Sequence, residues 1–331
     1  IEINHKLIMT MVDGKICNAL TGTASQVCYI CGAGPKKMNN LQLSQNMSQD
    51  ITTYAFGLST LHAWIRFFEC ILHISYRIPI KKWQVRKAEE KNALQQRKKH
   101  IIERFRSEMG LLIDQPRPGG SGSSNDGNTA RRFFENAALS SHITGVSEEL
   151  IRRFATILRA ISSGYSINVE VFNEYALDTA KIYLNLYSWF YMPPSIHKIL
   201  IHGGKVVESA ILPIGMFSEE AQEARNKHIR KFRESHARKF SRKATIQDVF
   251  SRLLITSDPV LSHIAPHKVT KKGSLPLEVR LLLKEPEIGN TFTIEKTEKS
   301  QEDSDDDDDD DDADDDDTSS KEVTEQSGNS D

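Results

Sequence analysis

The sequence has few cysteines, no long apolar run and almost no net charge, and each shortage narrows the class of protein. Four cysteines in 331 residues do not form the disulfide framework of a small secreted protein. We find no apolar run of about 20 residues, the length of a transmembrane helix, and no signal-peptide pattern. The chain begins with Ile1 rather than Met, so we expect it to be a fragment of a longer protein.

The net charge of −2 hides two oppositely charged parts. Residues 291–331 hold 19 acidic residues against 3 lysines, a charge of −16, which leaves +14 on residues 1–290. A basic body is typical of proteins that bind a polyanion such as nucleic acid. The tail is dominated by aspartate and cannot bury apolar surface, so we expect it to be disordered. We interpret it as a solvated polyanion that competes with DNA for the basic body or binds histones.

Apolar residues at helical spacing predict a mostly helical middle of the chain. Leu61, Trp64, Phe68 and Leu72 predict a core helix over residues 59–76, in which Cys70, His62 and His73 have no chemical role. Other helices are predicted over residues 81–108, 129–138, 147–162, 169–187 and 245–254, with a short element over 276–284. The 81–108 segment carries ten Lys/Arg against four Glu, a composition shared by solvated faces, DNA-backbone contacts and nuclear localisation signals. We interpret the aromatic residues between 183 and 191 as packing.

A short apolar run, residues 3–12, ends at Asp13-Gly14, a dipeptide typical of turns. Because the residues of this run are β-compatible, we predict a strand there. Asp13 then has two interpretations. It is either an ordinary turn residue, or a carboxylate held at the end of a buried strand and directed into a cleft.

Two pairs of metal-binding residue types lie far apart in the chain. Cys28 and Cys31 have the spacing of a zinc knuckle, and His197 and His202 stand five residues apart in HKILIH. A single CxxC is ambiguous between zinc binding, redox chemistry and chance, and no second pair nearby completes a finger. The βαβ setting of a redox motif is missing. Spacing alone leaves open that these are buried free thiols and unrelated surface histidines.

After the histidine pair we predict a strand-like run and then a polar helix that begins at Ser218, a suitable N-cap. Its apolar stripe is formed by Ala221, Ala224, Ile229 and Phe232, and the opposite side carries Glu223, Lys227 and Arg230. One carboxylate within a basic face would suit a metal ion beside a phosphate backbone. The same pattern describes an ordinary surface helix with a Glu-to-Lys pair at i, i+4.

Four motifs occur together in one order: MVDGK with the CxxC (residues 11–31), NDGNTARRFFEN (125–136), HKILIH (197–202) and SEEAQEARNK (218–227). With these motifs the chain resembles the Transib transposases. It resembles more distantly the catalytic subunit of the V(D)J recombinase, which rearranges antigen-receptor genes in vertebrates. The resemblance covers roughly residues 7–264 and rests on the order of the motifs, which is more specific than any one of them.

The resemblance implies an α/β, mostly α fold, in which an incomplete ribonuclease-H-like core is split by a long helical insertion. Residues 1–35 are then a core remnant, 36–195 the insertion, 196–290 the Glu223 helix with its flanking helices, and 291–331 the disordered acidic tail. In the relatives a CxxC and an HxxxxH share one structural zinc. This implies Cys28, Cys31, His197 and His202 as Zn²⁺ ligands that pin the insertion to the core.

The resemblance also implies cut-and-paste DNA transposition, with hairpin formation and strand transfer, at a site of three acidic residues (DDE). Such a site holds two Mg²⁺ ions that activate water or a 3′ hydroxyl. Asp13 is similar to the second acidic residue and Glu223 to the third, so both are predicted Mg²⁺ ligands. The implied partners are the double-stranded DNA of transposon ends and a second copy in a homodimer, and the implied location is the nucleus.

The first aspartate of the family lies upstream of MVDGK, and the only acidic residue before Asp13 is Glu2. We therefore expect the first aspartate and the end-recognition region to be missing, and the chain as given not to cleave DNA. The alternative is a domesticated or decayed transposon product that binds DNA or chromatin without catalysis. An in-frame upstream strand ending in aspartate would favour the enzyme, and a natural start near Ile1 would favour the binding protein.

Overall fold

A computed structural model describes residues 10–116, 123–217, 220–258, 260–261 and 275–284, and for residues 220–224 it describes the backbone only. The chain divides into residues 1–285 and 286–331, and every described residue belongs to the first unit. Three predicted features lie outside the described residues: the acidic tail, the N-cap Ser218 and most of the strand over residues 3–12.

The described part of the chain is mostly α-helical, as predicted. Its helices in chain order are α1 (Gly14–Thr21), α2 (Pro35–Met38), α3 (Leu41–Gln45), α4 (Thr60–Arg77), α5 (Ala88–Met109), α6 (Gly127–Glu135), α7 (Ala137–Thr144), α8 (Glu148–Ser162), α9 (Val169–Tyr187), α10 (Pro194–His197), α11 (Gly203–Ser209), α12 (Glu220–Ser235), α13 (Arg242–Thr256) and α14 (Leu277–Arg280). Two 3₁₀ turns (Ile51–Phe56 and Ile214–Phe217) and one π-helical turn (Lys198–His202) join them.

Within these residues there is no β-sheet, and the β-bridges Pro116–Ser123 and Ile167–Leu283 are isolated. The ribonuclease-H-like core therefore stays a prediction. None of the described helices is both long and apolar enough to cross a lipid bilayer.

Helix α4 lies at the centre of the core. Ser59 caps its N-terminus, where the Ser59 hydroxyl accepts the backbone N–H of His62 at 3.3 Å. Twelve of the 18 residues of α4 are buried, and the helix packs against α5, α6, α7, α8 and α10. Aromatic rings join these helices, with Phe67 4.7 Å from Phe154 and Phe68 4.9 Å from Phe133 between ring centroids. The predicted core helix is confirmed.

Helix α5 begins at Ala88, seven residues later than predicted. The preceding segment is held by tertiary contacts instead, since Trp83 packs 4.7 Å from Phe190 and 5.3 Å from Tyr191. Lys81 also has a φ of 52°, which a helix does not allow. The interpretation of the 183–191 aromatic residues as packing is confirmed for Tyr183, Tyr187 and Phe190, which are buried.

Several cations of α5 hold the helix to the body. The Arg97 guanidinium donates to the Ser75 carbonyl at 2.7 Å and to the Thr144 carbonyl at 2.9 Å. Lys98 pairs with the Asp114 carboxylate at 2.8 Å. The two carbonyls that Arg97 reaches lie in the last turns of α4 and α7, so this side chain joins α5 to the C-terminal ends of both helices. The basic composition of α5 is therefore partly structural.

The strand-like run predicted after His202 is wrong, because α11 occupies residues 203–209 and a 3₁₀ turn follows. Helices α12 and α13 pack on each other. Helix α14 returns to α8, where Val279 and Leu282 are buried and Thr156 bonds to Glu278 at 3.1 Å. The buried core extends from Val12 to Leu282, so it includes residues of the predicted segments 1–35, 36–195 and 196–290.

Candidate metal centre

The two cysteines and the two histidines singled out in the sequence come together in one buried cluster. One ligand atom from each of Cys28, Cys31, His197 and His202 lies within 4.8 Å of the other three. The Cys31 sulfur is 3.4 Å from His197 Nε2 although 166 residues separate them. Around a tetrahedral zinc, bonds of about 2.0–2.3 Å place neighbouring ligand atoms roughly 3.3–3.8 Å apart. The cluster therefore fits a metal ion and is compatible with structural zinc.

A π-helical turn explains how two histidines five residues apart can face one ion. In a regular α-helix, residues five apart are separated by about 140° around the axis and point to different sides. Residues 198–202 instead form a π-helical turn between α10 and α11, in which hydrogen bonds join residues five apart. The His197 and His202 rings consequently lie 5.1 Å apart between centroids.

The cysteine pair is presented by a tight loop. The Cys28 carbonyl accepts the backbone N–H of Gly32 at 2.7 Å, and the Cys28 N–H donates to the Ala33 carbonyl at 2.9 Å. Gly32 has a φ of +67°, a conformation that favours glycine. This backbone geometry directs both sulfurs to the same side of the loop, where the histidines arrive.

Burial of the histidines makes the case for a bound cation. Both rings are fully buried. Within the described part of the chain, His197 Nδ1 and both nitrogens of His202 have no hydrogen-bond partner. Leaving a buried polar atom unsatisfied costs roughly 1–3 kcal/mol. A cation bound by one nitrogen of each ring would remove part of this cost.

The pKa shifts of Cys31 and His197 favour the forms of these two residues that bind a metal ion. The pKa of the Cys31 thiol is lowered because Cys28 donates a hydrogen bond to it, and His197 and His202 add to the effect. The pKa of Cys28 is raised because its proton is held in that hydrogen bond and by burial. Burial lowers the pKa of His197. Thiolate and neutral imidazole are the forms that bind metals.

Two residues beside the cluster were not identified from the sequence. Lys198 Nζ lies 3.0 Å from the Tyr29 hydroxyl and over the Tyr29 ring. Each directly follows a ligand in the chain, Tyr29 after Cys28 and Lys198 after His197. Their contact joins the two ligand-bearing segments outside the metal position. The position of Tyr29 and Lys198 next to ligands is the only feature of the sequence that points to their contact.

Asp13 lies at the surface beside a histidine. It precedes α1 as its N-cap residue, and its carboxylate oxygen is 3.8 Å from His62 Nε2. His62 Nδ1 in turn lies 2.7 Å from the Ser59 hydroxyl. The sequence assigned no role to His62. The predicted strand is wrong over residues 10–12, because Met11 has a φ of 57° and a helix begins directly after Asp13.

Glu223 lies in the first turn of α12, which confirms a helix at this position. Its side chain lies outside the described residues, so the predicted Asp13–Glu223 pairing at Mg²⁺ stays a prediction. Lys227 and Arg230, one and two turns further along the same helix, are exposed.

The NDGNTARRFFEN motif has a structural role. Asp126 caps α6 by accepting the Thr129 N–H at 2.8 Å, and Asn125 donates to the Asp114 carboxylate at 2.6 Å. Gly127 lies so close to Leu61 that a Cβ there would come within 2.4 Å of Leu61 Cδ1. The first three residues of the motif therefore anchor α6 against the central helix.

No protein-family model matches this chain. No curated protein matches it either. The resemblance to the Transib transposases therefore rests on the four motifs and their order.

Proposed function

We propose that this chain is part of a cut-and-paste DNA transposase of the Transib type. In this proposal Cys28, Cys31, His197 and His202 hold a structural zinc that ties the N-terminal segment to the helices after residue 196. The basic body binds the double-stranded DNA of transposon ends in the nucleus. The ribonuclease-H-like core and the homodimer implied by the resemblance belong to the same proposal.

The observation that supports the proposal is the convergence of the four metal-binding residues. The motif order led us to expect that a CxxC and an HxxxxH from segments 166 residues apart would share one ion. A pair of buried free cysteines and two unrelated surface histidines would have no reason to meet. The agreement between the expected and the observed cluster supports the resemblance to the Transib transposases, from which the DNA chemistry is inferred.

Exposed cations offer a surface for the DNA backbone. On α12 the residues Lys227, Arg230, Lys231 and Arg233 are exposed, and on α5 so are Lys91, Lys99 and Arg106. Phosphate contacts by such side chains supply sequence-independent affinity that falls steeply with salt. The pinned cations of α5, Arg97 and Lys98, belong to the fold and not to this surface.

The proposed chemistry assigns Asp13 and Glu223 to a divalent-metal site. Two Mg²⁺ ions there would activate the attacking oxygen and stabilise the leaving oxygen at phosphorus. Carboxylate oxygens are the ligands that Mg²⁺ prefers. Lys227 and Arg230 would hold the DNA backbone next to the Glu223 position. The third carboxylate is expected on an upstream strand.

The experiment measures Mg²⁺-dependent nicking of duplex DNA. We expect residues 1–331 to bind DNA without cutting it, and a longer chain with an upstream strand that ends in aspartate to nick. Asp13→Ala and Glu223→Ala should each abolish nicking and leave DNA binding unchanged. The matched control is Glu234→Ala, an exposed glutamate on the same helix.

One outcome would count against the Glu223 assignment and another against the enzyme. Nicking that survives Glu223→Ala would mean that another glutamate is catalytic. Binding without nicking in every extended chain would favour the DNA- or chromatin-binding alternative.

A further inference from the structure

An open cleft lies at the corner where helix α4 ends and helix α5 begins. Its volume is about 550 Å³, within the range of roughly 300–1,000 Å³ that is usual for small-ligand pockets. The end of α4, the connecting segment and one face of α5 all line it, and the polar and aromatic residues among them are Arg77, Trp83, Gln84, Arg86, Lys91 and Gln95. We name it the α4–α5 cleft.

The α4–α5 cleft is cationic. Arg77, Arg86 and Lys91 line it, and none of the described residues around it is acidic. The carboxylate beside Lys91 in the chain, Glu90, pairs with Lys82 at 2.6 Å. The Arg86 guanidinium donates to the neutral amide oxygen of Gln84 at 2.7 Å. Three positive charges without a carboxylate partner around one cleft attract an anion.

Arg77 keeps a hydrogen-bond donor without an acceptor. Its guanidinium lies 5.7 Å from the centroid of the Phe190 ring, and its Nη1 donates to the His73 carbonyl at 3.0 Å. Its Nε is buried and has no hydrogen-bond partner in the described part of the chain. Nε and Nη2 form the edge of a guanidinium that matches two oxygens of a phosphate. A phosphate that draws this edge toward the cleft would supply the missing acceptor.

The cleft also has an aromatic wall. Trp83 lines it and is half-buried, and its indole is held in place by the rings of Phe190 and Tyr191. Gln84 and Gln95 add side-chain amides, which both donate and accept hydrogen bonds. Nucleic-acid bases stack on aromatic side chains whatever their sequence. The cleft therefore combines cations for phosphate with an aromatic and amide surface for a base.

We propose that the α4–α5 cleft binds a nucleotide, with its phosphates held by Arg77, Arg86 and Lys91 and its base against Trp83. A free nucleoside polyphosphate and an unpaired unit of a single strand both present this chemistry. The inference rests on the cleft and does not depend on the proposed transposase. Lys91 is also one of the exposed cations proposed to contact duplex DNA, so the experiment has to separate the two roles.

Titration calorimetry of the whole chain measures the binding of ATP, inorganic pyrophosphate, adenosine and a thymidine tetranucleotide without terminal phosphates. A buffer free of Mg²⁺ keeps the proposed catalytic site out of the measurement. We expect ATP to bind at least about tenfold more tightly than pyrophosphate or adenosine, because each of these fills only one half of the cleft.

Single substitutions test the assigned contacts. Arg86→Gln and Lys91→Gln should each weaken ATP binding by about tenfold, the usual effect of one charge-assisted contact, and both positions are exposed, so the fold should be kept. The matched control is Lys87→Gln, which removes the same charge from an exposed residue that does not line the cleft. Its ATP affinity should be unchanged. Trp83→Leu should weaken the binding of ATP but not of pyrophosphate.

The tetranucleotide identifies the source of the nucleotide. Tetranucleotide binding that Arg86→Gln weakens assigns the cleft to an unpaired strand, and an effect on ATP alone assigns it to a free nucleotide.

Three results would overturn the proposal. The first is that neither ATP nor the tetranucleotide binds more weakly to Arg86→Gln and Lys91→Gln than to the natural chain. The second is pyrophosphate binding as tight as that of ATP, which would leave a simple anion site. The third is a loss of duplex DNA affinity in Lys91→Gln with unchanged ATP affinity, which would assign Lys91 to the duplex surface alone.

Discussion

His197 and His202 illustrate how burial changes the chemistry of a side chain. Both rings are removed from solvent without hydrogen bonds for three of their four nitrogens among the described residues. Burial lowers the pKa of His197, which favours the neutral imidazole, and the lowered pKa of Cys31 favours the thiolate. A thiolate and a neutral imidazole that face the same buried space are suitable ligands for a metal cation.

We predict one zinc per chain, released on acidification. Because the folded-state pKa of His197 is lowered, its neutral form stabilises the fold fully above the ordinary histidine pKa of about 6.5. That contribution is lost as the pH falls below this value, since the unfolded chain then binds more protons. Zinc content after dialysis and urea unfolding at pH 7.5 and pH 5 measure the effect.

His202→Ala should abolish zinc binding at pH 7.5 and lower the free energy of unfolding there by several kcal/mol, since structural zinc binding is folding free energy of about 10–16 kcal/mol. His100→Ala, at an exposed position on α5, is the control and should keep its zinc. Stoichiometric zinc in the His202→Ala protein would contradict the ligand assignment.

The 3₁₀ turn before α12 depends on a close backbone approach. A Cβ at Gly215 would come within 2.4 Å of the Gly164 nitrogen and 2.7 Å of the Ser162 carbonyl carbon. Because both atoms are backbone, a rotamer change cannot relieve the clash. This turn is the described link between the body and the helix that carries Glu223.

We therefore predict that Gly215→Ala destabilises the protein by about 2–3 kcal/mol, the cost of overpacking. Gly14→Ala is the matched control, because no heavy atom lies within 4 Å of a Cβ at that position. Gly14 is the first residue of α1, so the control should be neutral or stabilising by up to about 1 kcal/mol. Urea unfolding of both variants gives the comparison. Equal stabilities would show that Ser162 and Gly164 move aside.

For the whole molecule, the separation of charge along the chain is the dominant electrostatic feature. Residues 1–290 carry +14 and residues 291–331 carry −16. A polyanionic segment in the same chain is present at high effective concentration and competes with any other polyanion. The competition weakens as salt screens the charges.

We predict that residues 1–290 bind duplex DNA more tightly than the intact chain, and that the difference narrows between about 50 and 200 mM salt. Titrations of both proteins at the two salt concentrations measure it. A full-length variant with the acidic residues of 302–317 changed to Ser and Asn controls for tail length and should behave like the shorter chain. Equal affinities for the shorter and intact chains would remove any role for the tail.

Local sequence patterns were enough to predict most of the long helices. The spacing of Leu61, Trp64, Phe68 and Leu72 predicted α4, and α8 and α9 began and ended within one or two residues of their predicted limits. Helices follow from local sequence because their hydrogen bonds and their apolar faces join residues three and four apart. The start of α5 was missed because Trp83, which packs on a distant aromatic cluster, decides it.

For the metal cluster, the sequence predicts which residues are ligands, and only the structure shows how they come together. The residue types and their order along the chain identified all four ligands once the resemblance was considered. Their convergence, the π-helical turn that aligns His197 with His202, and the position of His62 beside Asp13 are visible only in three dimensions. Sequence spacing does not predict these features, because they depend on tertiary packing. Packing of the whole core brings Cys31 within 3.4 Å of a histidine 166 residues away.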